Sequence, residues 1–258
     1  MSDWGATHST IQSANSGLDM EMPGDSFFGT ALEQAVNDGQ VSMDRLDDMA
    51  YRILFAMFSV GLFDNPQTGN LSVNAESQAH NDFAQFVAEQ GTVLLRNDGN
   101  FLPIDDGNVQ TIAVIGDDGN ATVIYAGLGS GGVIPGMLVS PLQGITQRAG
   151  ATIKVTYAPT SPLEAAVQAA QEADLAIIFV GTTSCEGIDR TTLSLGDAQN
   201  QLVQAVAAAQ PKSAVVVNTP GAALMPWLSQ VPAVVCAFLP GQMDGDAIAS
   251  VLFGDVNP

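Results

Sequence analysis

The chain has 258 residues, with 27 aspartates and glutamates against 7 lysines and arginines, for a formal net charge of −20. That length buries a sizeable core as one large domain or two smaller ones, and so negative a chain with few, scattered cations excludes nucleic acid as an expected partner. Hydrophobic residues make up 46% and charged residues 13%, which excludes a disordered acidic chain, and no apolar run approaches the 18 or so residues of a membrane span.

In chain order, residues 1–30 are rich in Gly and Ser without sustained period and read as loops and broken elements. Residues 31–63 are helical. There Leu46, Met49, Ile53, Met57 and Val60 recur at spacings of three and four, which places them on one helical face. Ser42 suits the N-cap, Asp44, Asp47 and Asp48 favour the positive end of the helix dipole, and Gly61 suits the stop. Residues 64–76, DNPQTGNLSVNAE, read as a linker.

From Ser77 onward strands and helices alternate. A helix is expected over Ser77–Gln90. Apolar runs at Thr111–Ile115, Ile153–Tyr157, Leu175–Val180, Ala214–Asn218 and Ala233–Phe238 read as strands, with helices at Leu163–Glu172 and Asp197–Ala209. Near-continuous apolar strands separated by helices of this length indicate an α/β fold, a doubly wound, mostly parallel sheet covered on both faces. Right-handed crossovers then put every strand's carboxyl end on one edge, where such sheets bind ligands.

Residues able to carry chemistry are few. Cys185 and Cys236 cannot build a disulfide framework; one bridge and two free thiols both fit. His8 and His80 lie too far apart for a zinc spacing, so no metal is expected. The first residues, MSDWGATHST, lack the basic and apolar regions of a secretory signal. Two glycosylation-type triplets, Asn70-Leu71-Ser72 and Asn120-Ala121-Thr122, carry little weight in a chain of this length.

The loop after Leu175–Val180 reads GTTSCEGIDRTTLSLGDAQ and is long for a strand-to-helix connection. Its Glu186, followed by Gly187, Asp189 and Arg190, reads either as a positioned acid/base or as part of an inconsequential exposed ion pair. Gly127-Leu128-Gly129-Ser130-Gly131-Gly132 satisfies G-x-G-x-x-G, but it lies more than ten residues past its strand and runs into Pro135 and Gly136 rather than a helix. It therefore reads as a flexible loop and not a dinucleotide cradle. Near the amino terminus, Asp3 beside Trp4 offers a carboxylate and an aromatic platform for a sugar face, while Asp19, Glu21 and Asp25 read as solvated charge.

Six segments, in order, are similar to glycoside hydrolase family 3, which contains many β-glucosidases: SDWGATHST, GLDMEMPG at 17–24, VLLRNDGNFLPI at 93–104, GLGSGGVIPGMLVSPLQGI at 127–145, EGIDRTTLSL at 186–195, and the terminal LPGQMDGDAIASVLFGDVNP. The resemblance implies that residues 1–63 are the last part of a (β/α)₈ barrel, 64–76 a linker and 77–258 the family's α/β sandwich domain. It implies a retaining glycosidase acting on a β-glucoside or oligosaccharide, with Asp3 as nucleophile, Glu186 as acid/base and Trp4 lining the sugar pocket. Asp189 and Arg190 would support the loop.

The two roles need two carboxyl groups about 5–5.5 Å apart. Glu186 has to start protonated, which a poorly solvated pocket would favour. No cofactor or metal is implied, and the parent enzyme is expected to be secreted. The upstream sugar-gripping residues of the family have no counterpart here, and the isolated chain is expected to be inactive or nearly so because Asp3 has no barrel to position it. Gly196 replaces a usual Pro, QMDGD replaces QEGG, and Cys185 precedes Glu186. β-Xylosidase-type specificity and a non-catalytic carbohydrate-binding module are the alternatives; oligomeric state is left open.

Overall fold

The computed structural model describes every residue except Gln67, so that part of the expected 64–76 linker lies outside the described residues. The chain divides into two compact units, Met1–Asn74 and Ala75–Pro258.

In the first unit, α1 (Ile11–Asn15), α2 (Thr30–Asn37) and α3 (Met43–Ser59) enclose a small core of Ala14, Leu32, Ala35, Val41 and Met49. The Ser42 hydroxyl accepts the Arg45 backbone N–H at 3.1 Å, which caps the start of α3. Gly61 ends it with a positive φ of 71°, a conformation that glycine adopts at little cost. Of the expected inner face, Leu46, Met49, Ile53 and Met57 are buried or half-buried, but Val60 is exposed because it falls at the C-cap, past the last full turn.

Two acidic side chains of this unit are structural rather than solvated. Arg45 donates to Asp19 and Asp48, both at 2.8 Å, and to the carbonyls of Ala14 and Leu18. Buried Glu21 accepts the backbone N–H groups of Phe27 and Phe28 at 2.9 and 2.8 Å. Asp25 is exposed, as expected.

The second unit is built on a six-stranded sheet. Its elements in chain order are α4 (Gln78–Gly91), β1 (Val93–Asn97), β2 (Thr111–Ile115), α5 (Pro141–Ala149), β3 (Lys154–Ala158), α6 (Leu163–Gln171), β4 (Leu175–Gly181), α7 (Asp197–Ala209), β5 (Ser213–Asn218), β6 (Ala233–Cys236) and α8 (Asp244–Leu252). The strand order is β1-β6-β5-β4-β2-β3. All pairings are parallel except β1 with β6, which is antiparallel with an irregularity between Leu94 and Arg96. The expectation that every strand ends on one edge therefore fails for β1. That edge strand is flanked on one side only, and Val93, Leu94 and Leu95 are exposed.

Alternation along the strands builds two cores from one sheet. Ile112, Val114, Ile177, Phe179, Val216 and Val235 face α5 and α8, while Ala113, Ile115, Ile178, Val180, Val215 and Val217 face α6 and α7. Both faces being covered explains why the strands read as unbroken apolar runs. On the second face Trp227 is fully buried, and its indole N–H donates to Asn200 Oδ1 at 3.0 Å. The start of α5, which sequence periodicity did not single out, is specified by Pro141 at its first turn and a reciprocal capping box between Ser140 and Gln143.

The helix after β2 packs on one face and those after β3 and β4 on the other. The connections leaving the neighbouring strands β2 and β4 thus diverge, which is the switch point where open α/β sheets bind ligands.

Candidate active site

Glu186 lies on the loop that leaves β4 at Gly181 and ends at α7. This loop is tied to the glycine-rich segment that follows β2. The Leu128 N–H donates to the Ser184 carbonyl at 2.9 Å and the Glu186 N–H to the Leu128 carbonyl at 3.1 Å. Thr183 Oγ1 donates to the Ala126 carbonyl at 3.2 Å. At the tip, the Ser130 N–H donates to Glu186 Oε2 at 2.7 Å. The 127–132 segment is therefore an anchored partner of the Glu186 loop, not a free one.

Two glycines make this approach feasible. Gly187 turns the chain with φ of +76°, directly after Glu186. Gly129 has φ of +111°, and a Cβ there would come within 2.5 Å of Glu186 Cβ.

Glu186 itself is exposed. Donation from Ser130, by its side chain and then its backbone N–H, holds the carboxyl below the usual glutamate value. This is opposite to the raised pKa expected of an acid catalyst, and the cause is plain: the loop supplies donors to the anion and little desolvation.

Of the residues expected to support the loop, Arg190 donates to the Ala222 carbonyl at 3.0 Å and to Thr219 Oγ1 at 3.5 Å, in the connection after β5. Asp189 is exposed and makes no hydrogen bond or ion pair among the described residues. Cys185 and Cys236 are both free thiols.

In the first unit, Asp3 and Trp4 are both exposed, Trp4 at 70%. Asp3 Oδ1 accepts the N–H of Trp4 at 2.6 Å, and Trp4 forms a parallel bridge with Met22. The SDW segment is thus fastened to the GLDMEMPG segment: the Ser2 N–H donates to the Met20 carbonyl and the Gly5 N–H to the Met22 carbonyl.

Among the described residues no three His, Cys, Asp or Glu side chains converge as a metal group, and no helix is long and apolar enough to cross a membrane. Two carboxyls that sequence reading passed over, Asp118 and Asp244, are buried at the sheet's carboxyl edge. No local motif marks them, because only tertiary packing brings them together.

The family described as Glycosyl hydrolase family 3 C-terminal domain matches residues 92–258. The chain belongs to glycoside hydrolase family 3. Among curated family 3 relatives, it is 38% identical to the probable beta-glucosidase L of Aspergillus terreus, with all of this chain matched to 40% of that protein. It is 32% identical to the thermostable beta-glucosidase B of Acetivibrio thermocellus, covering 35% of it. The crystal structure of a beta-D-glucoside glucohydrolase from Trichoderma reesei superposes with a TM-score of 0.85 at 37% identity, covering 98% of this chain and 40% of that one. The chain therefore spans about 40% of the length of such relatives. The doubly wound, mostly parallel α/β sheet expected from the strand pattern, and the α/β sandwich implied by the resemblance, are the fold observed.

Proposed function

We propose that this family 3 chain serves a retaining β-glucosidase that removes terminal, non-reducing β-D-glucosyl units. Asp3 is the nucleophile and Glu186 the acid/base, with Trp4 flanking the sugar. The observation that carries the reading is the presentation of Glu186 beyond the carboxyl end of β4, on a loop fixed by Ser130 and Arg190. The two named β-glucosidase relatives support the substrate class. In this reading residues 1–63 are the end of a barrel, 77–258 the sandwich domain, and the parent enzyme is secreted.

The chemistry follows from the two carboxyls. Asp3 attacks the anomeric carbon as Glu186 gives its proton to the departing oxygen, leaving a glycosyl ester on Asp3. Glu186, now a carboxylate, takes a proton from the water that attacks the same carbon, and Asp3 is released. Glu186 is held as an anion by Ser130, which suits the second step. The first requires that bound substrate desolvate the loop or displace the Ser130 donor, either of which raises the carboxyl's pKa.

The test is to graft the segment into the Aspergillus terreus relative in place of the matching region and assay aryl β-glucosides. Glu186→Ala is expected to depress turnover most on poor leaving groups, with azide restoring activity on good ones. Full activity of that variant on poor leaving groups would remove Glu186 from the role. As a separate 258-residue polypeptide the chain is expected to turn over negligibly. Asp3 is exposed and steadied by one local donor, and small displacements of reacting groups cost large rate factors. Turnover that Asp3→Asn abolishes would contradict this.

A further inference from the structure

Apart from the catalytic loop, three oxygen atoms are buried at the sheet's carboxyl edge with nothing to bond. Asp118, in the turn after β2, is 4% exposed, whereas Asn218, the last residue of β5, and Asp244, the first residue of α8, are 0% exposed. Asp118 Oδ2, Asn218 Oδ1 and Asp244 Oδ1 have no hydrogen-bond partner among the described residues.

The three side chains form one connected group. The Ile124 N–H donates to Asp118 Oδ1 at 2.5 Å, and the Ile124 carbonyl accepts from Asn218 Nδ2 at 3.1 Å. The same nitrogen donates to Asp244 Oδ2 at 3.3 Å. Asp118 Oδ2 rests against Gly181, 3.1 Å from where a Cβ would stand, so the absent side chain at the end of β4 makes room for the carboxyl.

No cation among the described residues neutralises this group. The ion pairs among the described residues are made by Arg45, Arg52, Arg96 and Arg148, and none reaches Asp118 or Asp244. Buried carboxylates are otherwise paired with a cation or bound to a metal. One proton shared between the two carboxyls would serve Asp118 and Asp244 and leave Asn218 Oδ1 without a donor. A doubly charged ion would balance both carboxylates and would have oxygens without another partner to draw on as ligands.

We propose that Asp118, Asn218 and Asp244 form a buried binding site for a hard divalent cation, with Ca²⁺ the best match. The donors are all oxygen, the set that hard ions prefer, and contain no thiolate or imidazole. Ca²⁺ takes more oxygens than these three but tolerates an irregular shell, whereas Mg²⁺ demands near-octahedral geometry at shorter distances. The ion would staple β2, β5 and α8 together behind the strand that carries the Glu186 loop. Asp244 lies in the QMDGD stretch that departs from the family's QEGG, and the site takes no part in the proposed hydrolysis.

The experiment is calorimetry of the EDTA-stripped 258-residue chain with CaCl₂ at pH 8, in enough KCl to screen the −20 surface charge. One site is expected, with affinity at least about tenfold weaker in Asp118→Asn and in Asp244→Asn, and a thermal midpoint that Ca²⁺ raises only in the parent chain. If the variants fold poorly, the parent chain alone still decides, through Ca²⁺ against Mg²⁺ and through the Ca²⁺-dependent rise in its thermal midpoint. No Ca²⁺ site, or an affinity in both variants equal to that of the parent, would overturn the proposal, the first leaving an acid pair without a metal and the second a surface site.

Discussion

The Ser130 backbone N–H and Glu186 Oε2 are 2.7 Å apart, joining two loops separated by 56 residues of chain. The segment that spells a dinucleotide-type glycine motif therefore presents its amide to a protein carboxylate rather than to a phosphate. The chemistry is the same in kind, because backbone N–H groups in a glycine-rich turn stabilise an anion wherever it comes from. It ties the connection after β2 to the connection after β4, across the switch point of the sheet.

Gly129 is the residue this contact can least spare. A methyl at that position would stand 2.5 Å from Glu186 Cβ, and φ of +111° is strained for any other residue. In the graft described above, Gly129→Ala is expected to lower kcat by about a hundredfold, since displacements near 1 Å cost that much. KM should move less. Steady-state kinetics check this; unchanged kcat would show that Glu186 does not depend on the loop.

Glu186 should titrate below the usual glutamate value of 4.5 in the 258-residue chain, because Ser130 donates to its anion. The sign follows from the depressed folded-state value: the contact's contribution is complete above 4.5 and is lost as the pH falls through the lower folded value. Carboxyl ¹³C NMR measures the midpoint directly. Ser130→Ala, which removes the hydroxyl donor and keeps the N–H, should move it partway back up.

Stability of the sandwich unit should fall as the pH rises from 5 to 8 in calcium-free buffer. Asp118 has a folded-state value of about 7 against an ordinary 3.8, so the folded state holds its proton more tightly than the unfolded chain does. The resulting penalty is absent below 3.8 and complete above about 7. On that basis Asp118 alone removes about 3 kcal/mol between pH 5 and 8, and Asp244 acts in the same direction. Urea denaturation at the two pH values checks this, and Asp118→Asn should flatten the difference.

Arg148 should stabilise the carboxyl end of the chain. Its Nε and Nη2 donate to Asp255 Oδ2 and Oδ1 at 2.5 and 2.8 Å, and the guanidinium lies 4.7 Å from the Phe253 ring centre. Arg148→Lys keeps the charge but loses the paired donors and the flat stack. We expect a loss of about 1 kcal/mol, which for a unit of this size lowers Tm by about 2–4 °C. Calorimetry in low and high salt checks it, with a smaller difference in high salt.

Most of the α/β unit was legible from sequence because its strands are buried on both faces and its helices carry regular apolar spacing. Thr111–Ile115 and Asp197–Ala209 are observed with the expected bounds, and the other expected strands shift by at most two residues at an end. β1 was missed because VLLRN is short, lies on the sheet edge and exposes its apolar side chains. Glu186 stood out as a candidate because its loop is long and sits at a strand's carboxyl end, but only the resemblance to family 3 gave it the acid/base role. Asp118 and Asp244 could not, since an aspartate beside a glycine reads as an ordinary turn.

The −20 charge, the doubly wound pattern and the identity of Glu186 as a candidate acid/base are properties of residue types and their order, and the sequence alone determined them. What required the tertiary structure was the environment of each group. Exposure and the Ser130 donor make Glu186 an anion where a protonated acid was expected. Packing of β2, β5 and α8 turns two unremarkable aspartates into a buried pair. Dielectric and donor geometry at a carboxyl depend on what the fold brings within a few ångströms, and residues 126 and 100 positions apart along the chain carry no local record of that meeting.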